Sequence, residues 1–214
     1  MEQRRARAGS GPGARAPGAA GDAAAIADAR TAARRWVERV VVGLDLCPFA
    51  GDVLRGDRLR IAVCDAASPE GVLAALDAEL ARLLRTEVRE LETTLLVLAN
   101  ALRDFDAFNA FLDVAEELVR RRGCEGVVQI ASFHPEYRFA GEAPDDPASF
   151  TNRSPHPMLH LLREESVARA VASHPDPAAI PARNVARMRA MGADALRALV
   201  AACLHDSAPP PRRS

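Results

Sequence analysis

Three apolar runs of strand type, separated by two segments of helix type, constrain this chain more than any other feature. LRIAVC at 59–64 alternates in polarity as a strand does. TTLLVLA at 93–99 is continuously apolar, and VVQIASF at 127–133 is the third run. After the first run, Ser68, Pro69 and Glu70 supply an N-cap, a first-turn proline and an early acid. Val72, Leu73, Leu76, Leu80, Leu83 and Leu84 then recur at helical spacing. After the second run, Asp104 caps a helix carrying Phe105, Phe108, Leu112, Ala115 and Val119. That helix closes on Arg120, Arg121 and Arg122 ahead of Gly123. Short connections between alternating strands and helices predict right-handed crossovers. The expected fold is therefore a small α/β domain with a parallel sheet of at least three strands (a βαβαβ core), covered by helices. The 93–99 run should be its most buried strand. A ferredoxin-like α+β arrangement is the alternative, and it needs an extra strand, for which 137–139 is available.

Helical patterns flank this core. One covers 22–44, with Ile26, Ala33, Trp36, Val40 and Leu44 on one stripe and Pro48 beyond its end. Two more cover 157–172 and 181–204. Residues 1–21 and 206–214 hold little to bury and are expected to be disordered tails around a single domain at 22–205. All 28 basic residues are arginine, which GC-rich coding explains and which excludes a lysine Schiff base. A net charge of −1 predicts no attraction to nucleic acid or anionic membrane. No apolar run approaches a membrane span. Cys47, Cys64, Cys124 and Cys203 form no ligand-type cluster, so free thiols in the cytoplasm are expected.

Chemistry is expected around the long polar connection after the third strand, at the carboxyl edge of the sheet, where parallel sheets bind ligands. His134 leaves that strand and is a candidate base, and Asn100 follows the second strand. Asn152, Arg153 and Ser154 precede a helix start and read as an anion cradle for a small anionic ligand. The loop should fold back and bring Arg153 and His160 towards His134. His156, His160 and Glu164 lie four apart in sequence, which on one helix is metal-ligand spacing. Cys47, in Leu-Cys-Pro-Phe, is the thiol outside any strong apolar pattern and is a candidate nucleophile beside His134. The catalytic candidates are thus His134, Cys47 and His160. A non-catalytic ligand-binding or interaction module using the same cleft is the alternative. No phosphate loop, nucleophile elbow or HExxH is present, and neither a cofactor nor an oligomeric state follows from the residues.

LDLCPFA, IASFHPEYRFAG and FTNRSPHPMLHLLREESV together resemble a bacterial family catalogued as domain of unknown function family 1415, over about residues 31–200. The resemblance implies a compact bacterial cytoplasmic protein and transfers no activity.

Overall fold

The computed structural model describes residues 19–143 and 145–205. The expected tails lie outside them, except for the first residues of the opening helix. Helix α1 spans Ala19–Trp36 and continues as a π-helical turn, Val37–Val42; a short helix α2, Ala50–Arg55, follows. Strand β1 is Leu59–Cys64, α3 is Pro69–Arg85, β2 is Thr93–Leu98, α4 is Phe105–Arg121 and β3 is Val128–Phe133. The caps foreseen for α3 and α4 are present: Ser68 Oγ accepts from the Gly71 amide and Asp104 from the Ala107 amide. Strand β4 is Met158–Arg163, followed by α5, Glu164–Ser173, α6, Ile180–Met191, and α7, Ala193–Leu204. The expected final helix is in fact two, broken at Gly192, which adopts φ 79°. No helix of the described residues is long and apolar enough to cross a membrane.

The sheet is mixed rather than parallel, with strand order β1–β2–β4–β3. β1 pairs parallel with β2, and β4 pairs antiparallel with both β2 and β3. β1, β2 and β3 therefore do run in one direction, as expected, but β4 separates the second from the third. The segment read as one helix over 157–172 supplies that strand. Met-Leu-His-Leu-Leu is too short and too uniformly apolar for its period to decide between strand and helix. Its position decides: a strand between β2 and β3 has backbone partners along both edges, and it buries Met158, Leu159 and Leu161 completely. A ferredoxin-like sheet is excluded by the parallel β1–β2 pair, and 137–139 forms no strand.

Helices cover both faces. On one, α3 and α4 pack Leu76, Leu80, Leu83, Phe108 and Ala115 against Ala62, Leu96, Leu98, Leu159 and Leu161. On the other, α1, its π turn, α6 and α7 pack Trp36, Val40, Met188, Leu196 and Cys203 against Ile61, Leu95, Val97 and Met158. Every residue of β2 is buried, as its unbroken apolar run predicted.

Candidate functional site

The long connection does fold back on β3. The His134 amide donates to Asn152 O at 3.1 Å, and the Ser154 amide donates to His134 O at 3.4 Å. The expected convergence of side chains does not follow. His134 is fully buried on the α4 face, with ring centroids 5.3 and 5.0 Å from Phe105 and Phe108. Its Nε2 lies 3.2 Å from Leu102 O, and its Nδ1 accepts from the Glu136 amide at 3.0 Å. Both nitrogens are engaged, and burial pushes its pKa down. His160 points to the opposite face of the sheet, because it lies an even number of residues from Met158 and Leu162 along β4.

The other residues expected at the carboxyl edge bind backbone. Asn152 Nδ2 donates to Ser132 O, Arg153 Nε to Tyr137 O, Ser154 Oγ to His156 O and Asn100 Nδ2 to Asp65 O. The Arg153 guanidinium also lies over the Phe150 ring, 4.5 Å from its centroid. This segment is a strap that closes the end of the sheet. His156 precedes β4, His160 lies within it and Glu164 begins α5, so the three do not share a helix face. Among the described residues no three His, Cys, Asp or Glu side chains gather as a metal site.

Space opens elsewhere, over the amino-end half of the sheet on the α1 face. A cavity of about 350 Å³ has a floor of Leu59, Thr93, Leu95, Ala131, His160 and Leu162. Trp36, Val37 and Val41 wall one side. Cys47, Phe49, Ala50 and Val53 wall a second, and Val167 and Ala170 of α5 wall a third. The reason is local. α1, α6 and α7 bury side chains against this face, whereas α2 and α5, which supply two of the cavity's walls, bury no residue. Phe49 and the His174 ring at the end of α5 meet edge-on, with centroids 6.4 Å apart.

The three stretches that suggested the resemblance meet at this cavity. Cys47, Phe49 and Ala50 come from the first, Ala131 and Phe133 from the second, and His160, Leu162, Arg163, Ser166 and Val167 from the third. A family described as a protein of unknown function, DUF1415, matches residues 28–198. The chain belongs to the DUF1415 family. Neither a curated protein nor a solved structure matches it.

In this DUF1415 protein the electrostatics of the cavity are set by a few groups. Thr93 Oγ1 lies 2.7 Å from His160 Nε2 and 2.6 Å from Leu161 O. A carbonyl can only accept, so the Thr93 hydroxyl donates to Leu161 O and accepts from His160 Nε2–H. Nδ1 is then the unprotonated nitrogen, and no hydrogen bond reaches it among the described residues. The ring is deep in the molecule, and what access it has is to the cavity. Burial lowers its pKa to about 4, so it is neutral at pH 7.

The charged groups of the lining, Glu92 and Arg163, are both engaged by the protein. Glu92 binds Arg58 at 2.9 Å with Arg169 at 4.0 Å, and Arg163 donates to the carbonyls of Leu83, Thr86 and Leu91. Cys47 is the one cysteine of four outside the core. The three residues before it are clamped by α6: Arg187 binds Leu44 O at 2.5 Å, Arg183 binds Asp45 O at 3.1 Å and Asn184 binds Leu46 O at 2.7 Å. Asp45 is held at φ 51° within that clamp. A second depression, of about 400 Å³ beside β1, is lined by exposed Arg30, Arg34 and Arg82, with Arg60 forked onto Glu79. It is a solvated charged crevice, and the apolar cavity is the better ligand site.

The sequence singled out Cys47 and His160 but not Thr93, Glu92 and Trp36 as residues of this cavity. The available signal was the Thr93-Thr94 pair, two hydroxyls at the start of a strand that is apolar from Leu95 on.

Proposed function

We propose that this protein binds a small, uncharged, mostly apolar molecule in the cavity over the amino half of its sheet. The observation that carries this reading is a partly open, apolar-lined space of about 350 Å³ in which the lining histidine, His160, is held neutral. Ligand pockets start at roughly 300 Å³, and apolar walls with a few oriented polar atoms are their usual construction. An anion entering here would leave water for an apolar floor whose titratable group, His160, is neutral, and the lining cation, Arg163, has its Nε and Nη2 engaged by three carbonyls. The ligand proposed is therefore uncharged, in place of the anion expected at the carboxyl edge. Four cysteines without a disulfide suit action in a bacterial cytoplasm.

Thermal-shift titration of the full chain tests the reading. Neutral apolar probes should raise Tm and matched carboxylates should not. Ala131→Leu, which fills the floor, should erase the shift while leaving the unliganded Tm within a few degrees. Equal shifts from carboxylates, or full binding by the filled variant, would overturn it.

A covalent reaction at Cys47 is the second reading, favoured by the thiol's place on the cavity wall and the clamp behind it. Intact-mass measurement after mild alkylation should find one adduct, at Cys47, and a saturating ligand should suppress it. Adducts on Cys64 or Cys203 at a similar rate would argue against it.

A further inference from the structure

We infer that the ligand of this cavity is a planar aromatic molecule carrying one N–H or O–H donor, which it directs at His160 Nδ1. The inference rests on the proposed reading of the cavity as a ligand site and specifies the chemistry that site selects. Its polar half follows from the hydrogen-bond chain. Leu161 O fixes the Thr93 hydroxyl as donor to it, at 2.6 Å, and the hydroxyl oxygen in turn fixes the proton of His160 on Nε2, at 2.7 Å. The imidazole thus keeps Nδ1 as its acceptor, and a switch of tautomer would turn the Thr93 hydroxyl from Leu161 O to Nε2 and give up the 2.6 Å bond. A ligand that brings a carbonyl, ether or carboxylate to Nδ1 opposes one lone pair to another. A ligand that brings N–H or O–H satisfies the acceptor.

The apolar half follows from the rings. Phe133 lies 6.2 Å from the His160 ring at 43° and meets Trp36 edge-on at 4.9 Å. Phe133, Trp36 and Phe49 line the same cavity as His160. Aromatic ligands gain offset and edge contacts from such walls beyond area burial. Size agrees: an apolar cavity of about 150 Å³ already holds one benzene ring. The present one, at about 350 Å³, has room for two fused rings.

The test uses isosteric probes on the full chain by titration calorimetry. Indole carries the N–H, benzofuran has the same shape without it, and cyclohexanol carries a donor without a ring system. Indole should bind roughly tenfold or more tightly than benzofuran, the factor expected when a buried acceptor is satisfied rather than left bare. Cyclohexanol should bind more weakly than indole. Thr93→Val, which releases the tautomer, and His160→Phe, which removes the acceptor, should each bring indole and benzofuran within about twofold of each other. Each variant is first checked by its urea midpoint, and either one suffices if the other fails to fold. Equal wild-type affinity for indole and benzofuran would overturn the donor rule while leaving a binding cavity. Cyclohexanol binding as well as indole would overturn the aromatic requirement. Binding of no probe at all would overturn both this inference and the reading beneath it.

Discussion

Two histidines on opposite faces of the sheet have opposite situations, and substitution should separate them. His134 is wedged between Phe105 and Phe108 with both nitrogens bonded. Replacing it with alanine removes packed volume and strands the Leu102 carbonyl and the Glu136 amide. His134→Ala should therefore cost about 2–4 kcal/mol in urea unfolding. Cavity probes should still bind the folded fraction with unchanged affinity. His160→Phe should behave the other way, with a modest change in stability and a clear change in ligand selection. A loss of probe affinity in His134→Ala without loss of stability would contradict this division of roles. Arg153, read from the sequence as an anion ligand, has its Nε on Tyr137 O and its plane on Phe150, so its loss should register first in stability.

The elements that hold the cavity open are identifiable by what they lack. α2 and α5 bury no side chain, so little apolar area opposes their opening. Backbone amides in α5 should exchange with solvent orders of magnitude faster than those of β2. A bound probe should slow α5 and α2 selectively, which hydrogen-exchange mass spectrometry reads directly.

Two further positions test how the elements are joined. Arg163, the last residue of β4, ties the sheet to the end of α3 through Leu83 O and Thr86 O and to the next connection through Leu91 O. Arg163→Ala should cost about 2–4 kcal/mol, and Arg163→Lys should recover only part of it, since an ammonium cannot reproduce the fork. Gly192 joins α6 to α7 at φ 79° and ψ 153°, a region open almost only to glycine, with nothing within 4 Å of an added Cβ. Gly192→Ala should lower stability by about 1–3 kcal/mol through backbone strain alone, measured as a shift in urea midpoint.

For the molecule as a whole, acid should be the weak side. His134, His156 and His160 all have pKa values lowered by burial, His160 to about 4. A histidine in the unfolded chain titrates near 6.5. Below that value the unfolded state binds protons that the folded state refuses, so stability is full above about pH 6.5 and falls as pH drops towards 4. His160 alone accounts for up to about 3 kcal/mol of that fall. Urea midpoints measured between about pH 7 and pH 4.5 should decline, and His160→Gln should flatten the decline. A midpoint that rises on acidification would contradict the buried, neutral state of these rings.

How much was legible in advance follows from where the information lies along the chain. β1, β2, β3, α3 and α4 were readable because each rests on its own periodicity and caps: Ser68 and Asp104 bond the first turns they precede, whatever packs above. The complete burial of β2 was equally local, written in an apolar run with no polar side to expose. Met158–Arg163 was different. Its side chains are compatible with strand or helix, and the choice was made by β2 and β3, which offered hydrogen-bond partners along both edges. That choice turned His160 from a helix face towards His156 into a strand face away from His134. It also moved the candidate site from the carboxyl edge to the amino half of the sheet. Cys47 and His160 could be named from residue type alone. That they border one cavity, with Thr93 fixing the proton of His160, depended on contacts between segments far apart in the chain, which only tertiary packing specifies.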